Sequence, residues 1–303
     1  MTIDLVCLGN VTIDDTVMPD GLTKMACFGG DTIYGALSAA LWNENVRVVA
    51  PIGEDFPPEH LKKLGDLGWD LAGLPVRPLP TSRSWVIYEY NGDRTWVARS
   101  DPDNFFELSP KPEDLPEAYL ESKAFLILAM DLKSQEILAK YLHDLGALVC
   151  LDTQEDNIVG NQDRVFSMLP NVNIFMPSQT EVHRLLGHDD YKRAAKEFAE
   201  YGPEVVVIKM GEQGSLIYQS TIGNFIKVPS FKTKAVDTTG AGDSYCGGFM
   251  GMYINNQNLL HAGLAGAVSA SFAVEKFGNN RLIEVTQDEA NQRFEELLAQ
   301  TEE

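Results

Sequence analysis

The 303-residue sequence lacks several features that would place it in common protein classes. It has no long apolar run, and no basic segment precedes the short apolar stretch at its start, so the sequence predicts neither a membrane span nor a signal peptide. Its four cysteines form no C-x-x-C pair, and its five histidines show no metal-ligand spacing. We therefore expect reduced, mostly buried thiols, no zinc site, and a soluble, unprocessed protein of the cytoplasm.

Positive charge is also scarce. The chain has 24 Lys and Arg against 44 Asp and Glu, a formal net charge of −20. Such a surface repels nucleic acid and anionic membranes, so we expect neither as a partner. A nucleotide ligand remains compatible, because a phosphate needs only a local nest of backbone N–H groups and a metal ion.

Two familiar phosphate-binding motifs are absent. The chain has no Gly-Lys pair and therefore no Walker A loop. A dinucleotide-binding loop is equally unsupported, because Tyr245 stands where the third glycine after Gly240 and Gly242 should be.

The remaining pattern alternates short apolar runs with amphipathic stretches, which is typical of βαβ units and a parallel sheet. Strands are predicted over residues 5–8, 46–52, 124–130, 147–152, 172–176 and 205–209. Helices are predicted over residues 32–42, 58–67, 134–145, 180–186 and 191–201, with a charged terminal helix from residue 287. We expect a single α/β domain over residues 1–303.

One segment breaks this alternation. Residues 85–90 and 94–99 read as the two strands of a β-hairpin joined at Asn91-Gly92. The hairpin is either an ordinary edge element or a lid over a pocket, and the sequence leaves both interpretations open.

The strongest chemical signal is the segment Asp-Thr-Thr-Gly-Ala-Gly-Asp-Ser at residues 237–244, followed by an apolar, Gly-rich helix. Gly240 and Gly242 allow successive backbone N–H groups to point at one anion, and the helix adds the positive end of its dipole. Asp243 then lies beside the predicted anion. A carboxylate suits that place when it accepts the proton of an attacking hydroxyl during phosphoryl transfer.

The segment resembles the second signature of the PfkB, or ribokinase-like, carbohydrate kinases. The resemblance implies that Asp243 is the catalytic base and that the amides of Gly240, Ala241 and Gly242 form the anion hole. It also implies a three-layer α/β sandwich with a mostly parallel central sheet and a small β lid, built from residues 16–28 and 85–99.

Other positions extend the resemblance over nearly the whole chain. Residues 7–14 are similar to the family's opening strand, so Asp14, with Asp15 as the alternative, is expected to bind sugar hydroxyls. Gly29 and Gly30 resemble the first signature, where the backbone approaches the sugar, and Tyr34 lies in the same element. These residues form the predicted acceptor site.

The second half of the chain supplies the predicted nucleotide site. Met-Pro-Ser-Gln-Thr-Glu at residues 176–181 is similar to the family's Asn-x-x-Glu element, so Glu181 is expected to organise magnesium through water. Lys209, Gly211 and Gly214 resemble the strand and glycine turn that border the nucleotide. For Lys209, a solvated strand-end lysine is an equally good interpretation.

Three positions depart from the family pattern. Tyr34, Gln154 and Ser178 stand where many members have asparagine, and the arginine often found after Gln154 is missing. The Gly-Ala-Gly-Asp centre is intact, which favours an active enzyme with an unusual acceptor.

The resemblance further implies Mg-ATP as the donor and a homodimer formed by pairing of two lids, and it leaves open a monovalent cation near residues 236–242. Two other functions stay open. One is a nucleoside or sugar-acid kinase, in which Tyr34 and the lid aromatics Trp85, Tyr88 and Trp96 stack on a base. The other is a non-catalytic, sugar-sensing relative, against which Asp243 argues.

Overall fold

The computed structural model describes residues 3–90 and 94–301. Its strands are Leu5–Leu8 (β1), Thr12–Val17 (β2), Thr23–Gly29 (β3), Val46–Val49 (β4), Ile52–Gly53 (β5), Val76–Arg77 (β6), Arg83–Tyr88 (β7), Arg94–Ala98 (β8), Ala124–Ile127 (β9), Leu148–Leu151 (β10), Ile174–Phe175 (β11), Val205–Lys209 (β12), Ser215–Gln219 (β13) and Asn224–Val228 (β14). Its α-helices are Asp31–Ala40 (α1), Pro58–Asp66 (α2), Pro102–Glu107 (α3), Leu132–Asp144 (α4), Glu155–Ile158 (α5), Gln162–Met168 (α6), Gln179–Leu186 (α7), Tyr191–Glu200 (α8), Ala241–Asn256 (α9), Leu259–Ala273 (α10), Asn280–Glu284 (α11) and Gln287–Ala299 (α12).

The central sheet has eight strands within the described residues, in the order β14-β13-β12-β11-β10-β9-β1-β4. The six strands from β12 to β4 are parallel, and β13 and β14 add an antiparallel edge. The mostly parallel sheet confirms the predicted fold class.

Alternate residues of the central strands face two separate hydrophobic cores. Leu5 and Cys7 of β1 belong to the core that includes α1, α9 and α10. Val6 and Leu8 belong to the opposite core, which includes α4 and α8. Helices therefore cover both faces, as a three-layer sandwich requires. None of the helices in the described part of the chain has the length and apolar character needed to cross a membrane.

Most predicted elements are confirmed, with small shifts at their ends. The strands over residues 5–8 and 205–209 have the predicted bounds. The single strand predicted over residues 46–52 is wrong, because it breaks after Val49. Pro51 has no N–H to donate, and Ile52 leaves the central sheet to pair with Val76.

A second sheet, which we call the lid sheet, has the strand order β3-β2-β7-β8. The two predicted lid segments pair in this sheet, and its first strand begins at Thr12 rather than residue 16. Asp14 therefore belongs to the lid sheet and not to the opening strand, which ends at Leu8. The predicted turn at Asn91-Gly92 lies outside the described residues.

Close packing of α1 against α9 brings the first Gly-rich segment to the second. A Cβ added at Gly247 of α9 would lie 1.9 Å from the carbonyl oxygen of Gly35 in α1, and one added at Gly251 would lie 2.5 Å from that of Ala39. Only glycine permits this approach of the two helix backbones.

We predict that Gly247→Ala lowers the free energy of unfolding by about 1–3 kcal/mol, because an overpacked helix interface has to separate. The matched control is Gly65→Ala in α2, where a Cβ meets nothing within 4 Å. That change should raise stability by about 0.5–1 kcal/mol through helix propensity. Denaturant unfolding measures both, and a stabilising Gly247→Ala would contradict the packing argument.

Candidate active site

The loop before α9 forms the turn for which the sequence predicts anion binding. Gly240 has φ +76° and immediately precedes the first residue of α9. The ring of Tyr34 packs on it so closely that an added Cβ would lie 2.3 Å from the ring. Within the described residues the amides of Gly240 and Gly242 donate to no backbone or side-chain acceptor, whereas that of Ala241 donates to the Thr238 carbonyl at 3.3 Å.

Two cavities meet at this turn. The larger cavity, of about 900 Å³, is lined by the predicted nucleotide-site residues Glu181, Lys209, Gly211 and Gly214, among others. The smaller cavity, of about 330 Å³, is lined by residues that include Asp14, Gly30 and Tyr34. Both cavities are lined by Asp31, Gln154 and Asp243. The predicted donor and acceptor residues thus lie on opposite sides of one carboxylate.

Asp243 has the electrostatic setting of a proton acceptor. Burial and the charge of Asp152 raise the pKa of Asp243 to about 6, against the lowering effect of Lys209 and Arg94. At neutral pH the carboxyl is therefore mostly ionised and still basic enough to take a proton.

Lys209 is not the solvated lysine that one interpretation expected. Its Nζ lies 2.6 Å from Asp152 Oδ2, and the side chains of Lys209 and Asp152 are 11% and 4% exposed. Burial by itself would lower the pKa of Lys209, but the charge of Asp152 raises it well above its ordinary value. The ammonium also lies directly below the turn, 3.3 Å from where a Cβ of Gly242 would be. A positive charge is therefore fixed beside the anion-binding amides.

Glu181 is held at the start of α7 by a capping box. Its carboxylate accepts the Ser178 amide at 2.6 Å, and its own amide donates to Ser178 Oγ at 3.2 Å. Burial, followed by the charge of Asp152, raises the pKa of Glu181 to about 8. Ser178 therefore fixes the glutamate by capping. In the described part of the chain, no group of three or more His, Cys, Asp or Glu is arranged to hold a metal directly.

Asp14, rather than Asp15, faces the smaller cavity. Asp14 accepts the Thr12 hydroxyl at 3.0 Å with Oδ2, while its buried Oδ1 has no hydrogen-bond partner. An added Cβ at Gly29 would lie 2.2 Å from Asp14 Oδ2, so glycine makes room for the carboxylate. Asp15 points to the other face of the lid sheet, where it pairs with Arg99 and accepts the Ala26 amide at 2.7 Å.

The lid aromatics do not act as one group. Trp96 lines the smaller cavity, together with Phe105 of α3, which the sequence analysis missed. Trp85 lies on the opposite face, with Arg99 5.4 Å from its ring centroid. Tyr88 instead donates to Asp237 Oδ1 at 2.6 Å and lies 2.9 Å from Thr239 Oγ1. The prediction of a base-stacking set is therefore wrong for Trp85 and Tyr88.

Two charged residues near Asp243 were also missed. Asp31 occupies the first turn of α1, and burial and the charge of Asp243 raise its pKa well above the ordinary value. Its place directly before the predicted helix, three residues from Tyr34, was a usable signal. Arg94 of β8 pairs with Tyr88 of β7 in the lid sheet, and its charge lowers the pKa of Asp243. No sequence signal marks Arg94, because its position depends on strand register.

Comparison with known proteins gives a consistent result. The family model described as "pfkB family carbohydrate kinase" matches residues 4–285. A cytidine kinase of Thermococcus kodakarensis is 30% identical, with 91% of this chain and 98% of that protein aligned. A deoxyribokinase of Salmonella typhi is 24% identical, with 83% and 82% aligned. The crystal structure of the Methanocaldococcus jannaschii nucleoside kinase, a member of the ribokinase family, superposes with a TM-score of 0.78 at 20% identity, covering 97% of this chain and 99% of that one.

We predict that Tyr88→Phe lowers the free energy of unfolding by about 1–3 kcal/mol, since it removes a buried hydrogen bond to the Asp237 carboxylate. The control is Tyr90→Phe, because the Tyr90 side chain is 85% exposed. This substitution should change the free energy of unfolding by no more than about 0.5 kcal/mol. Thermal or denaturant unfolding compares the two. If both variants unfold with the same free energy, the Tyr88 hydroxyl does not stabilise the contact between the lid sheet and the turn.

Proposed function

This chain belongs to the PfkB family of carbohydrate kinases, and we propose that it transfers the γ-phosphoryl group of Mg-ATP to a hydroxyl of a sugar or nucleoside. The observation that carries the proposal is the meeting of the two cavities at Asp243. In phosphoryl transfer the attacking oxygen, the phosphorus and the leaving oxygen lie roughly in line, so donor and acceptor have to meet at one proton acceptor.

The larger cavity suits the nucleotide. Its volume of about 900 Å³ is within the range of small-molecule sites, and Gly211 and Gly214 border it as the resemblance requires. Buried Asp152 Oδ1 has no partner in the described structure, which leaves a hard oxygen acceptor beside the phosphate position. Glu181 would act on magnesium through water, and the bound ion would neutralise part of the phosphate charge.

Each charged group at the junction then has one task. Asp243 takes the proton of the acceptor hydroxyl as its oxygen bonds to the γ-phosphorus and the bond to the ADP oxygen breaks. The free amides of Gly240 and Gly242 donate to oxygens of the transferring group. Lys209 is held in place by Asp152 and lines the larger cavity, from which it balances the negative charge of the transferring phosphoryl group.

The smaller cavity would bind the acceptor. Asp14 Oδ1 accepts a sugar hydroxyl, and Gly29 and Gly30 allow the sugar to approach the backbone. The relatives named cytidine kinase and deoxyribokinase support a nucleoside and a free sugar as acceptors, respectively. A nucleoside base would contact Trp96 and Phe105 at the cavity wall.

The lid sheet also supports the proposed homodimer. Its outer surface exposes apolar side chains, with Leu22 54%, Met25 48% and Val97 45% exposed. Sedimentation should give a dimer for the native chain and a monomer for Val97→Asp, whereas a native monomer would contradict the proposal.

The monovalent cation near residues 236–242 stays a separate proposal, tested by the dependence of kcat on potassium.

We predict that Asp243→Asn lowers kcat by about 10²–10⁴-fold, because asparagine keeps the size of the side chain but cannot accept the proton. Nucleotide affinity should stay equal or rise, since a negative charge facing the γ-phosphate is removed. The measurement is ADP release with titrated ATP and acceptor, together with equilibrium binding of both.

The matched control is Asp237→Asn, which makes the same change six residues earlier in the loop. Asp237 binds Tyr88 Oη and the Thr239 amide, at 2.6 and 2.9 Å. Its replacement should therefore change stability or cation dependence more than proton transfer. Near-native kcat in Asp243→Asn would remove the proposed base, and a sugar that binds without turnover in the native chain would favour the non-catalytic alternative.

A further inference from the structure

We infer, on the basis of the proposed phosphoryl transfer, that Cys246 is a positioning residue of the phosphate site. Its thiol would hold the Lys209 ammonium below the turn at Gly242, so that the ammonium keeps a hydrogen-bond donor for the nucleotide phosphates. Cys246 lines neither of the two cavities, so it would act through Lys209 and not by touching a substrate.

Three different elements bring the thiol to the Lys209–Asp152 ion pair. Cys246 belongs to α9 and is fully buried, Lys209 ends β12, and Asp152 directly follows β10. Cys246 Sγ lies 3.4 Å from Lys209 Nζ and 3.3 Å from Asp152 Oδ2. Since Lys209 Nζ also lies 2.6 Å from Asp152 Oδ2, the three side chains form a closed triangle of polar contacts.

A protonated thiol is suited to lie between an ammonium and a carboxylate. Burial, followed by the charge of Asp152, raises the pKa of Cys246 well above its ordinary value, so the sulfur keeps its proton. A thiol has one S–H donor, and its sulfur can also accept a hydrogen bond. The S–H therefore donates to the Asp152 carboxylate, while the sulfur accepts from the Lys209 ammonium.

The contacts of Lys209 leave one donor for a ligand. An ammonium carries three N–H groups. Among the residues that the structure describes, one of these groups donates to Asp152 and another to Cys246. The third is available to an anion at the turn, because Nζ lies 3.3 Å from where a Cβ of Gly242 would be. Loss of the thiol contact would free the long lysine side chain, and ordering it again would weaken phosphate binding.

The place of Cys246 along α9 relates it to the proposed chemistry. It comes four residues after Gly242 and three after Asp243, which puts all three on one side of the helix. One helix face therefore carries part of the turn, the proposed base and the thiol. A substitution that removes only the polarity of the thiol should change the position of Lys209 and leave the turn in place.

The test compares two substitutions of similar size. Cys246→Ser keeps a donor and an acceptor at this position, whereas Cys246→Ala removes both. Equilibrium binding of Mg-ATP should give a Kd about tenfold higher for Cys246→Ala than for Cys246→Ser, because a hydrogen bond to a charged group is lost. If the thiol only fills space in the core, the alanine variant should bind at least as well as the serine variant. A difference below about threefold, or tighter binding by Cys246→Ala, overturns the inference.

A double-mutant cycle separates positioning of the lysine from a general change in packing. In a Lys209→Met background the ammonium is absent, so the alanine and serine variants of Cys246 should bind Mg-ATP equally. A difference that persists there overturns the inference. The control is Cys7→Ala, which truncates another fully buried thiol of the same core and should leave the Kd unchanged. A comparable rise in the Kd of that control would assign the effect to the core instead of to Lys209.

These measurements separate the inference from the proposed kinase activity, since binding does not require turnover. If the native chain binds Mg-ATP and phosphorylates no sugar or nucleoside, the proposed function fails and the comparison of alanine with serine still decides the role of Cys246. If the native chain is active and the two variants bind equally, the kinase proposal stands and the positioning role fails. A native chain that does not bind Mg-ATP overturns both.

Discussion

Repulsion between carboxylates and phosphate is the constraint on which the site depends. Asp152, Glu181 and Asp243 all line the cavity proposed for a triphosphate. In the proposed reaction, the charges of the ionised carboxylates would be balanced by three features of different origin: the Lys209 ammonium, the N-terminus of α9, and the metal expected with the nucleotide. Since Asp152 pairs with Lys209 at 2.6 Å, it fixes the cation that the anion needs while it raises the pKa of the proposed base. In the proposed reaction, one ion pair would therefore serve both phosphate binding and proton transfer.

The lid sheet links the acceptor site to the anion-binding turn through covalent and hydrogen-bonded connections. Asp14 lies on β2, and β2 pairs in parallel with β7, which carries Tyr88. Tyr88 in turn binds Asp237 and Thr239 directly before Gly240. In the proposed reaction, movement of the lid sheet would displace both Asp14 and the turn, and would thereby couple acceptor binding to the geometry of the proposed anion hole.

The features that could be predicted from the sequence are those that the local spacing of residues determines. The buried β-rich runs gave most of the parallel strands, and the Gly-Ala-Gly-Asp segment led to the turn at which both cavities meet. The sequence analysis missed α10, because that helix is buried nearly all round and so has no amphipathic period. It left Lys209 undecided, because Asp152 comes from a distant strand and only the parallel sheet brings their ends together. Trp85 was misjudged for a related reason, since the face of a strand residue depends on register, and the same dependence kept Asp15 open as the alternative to Asp14.

The departures from the family pattern have a common physical consequence. Gln154 is followed by Glu155 and Asp156, so the strand end that often carries an arginine is acidic here. The positive charge nearest to Asp243, besides Lys209, comes from Arg94 on β8 of the lid sheet. Arg94 is exposed on β8 and lies over Trp96 of the same strand, 5.8 Å from the ring centroid, so its position depends on the lid sheet rather than on the sandwich. In the proposed reaction, a positive charge carried by the lid sheet instead of the sandwich would tie phosphate neutralisation to closure over the acceptor. Such an arrangement would suppress hydrolysis of the nucleotide while the smaller cavity is empty.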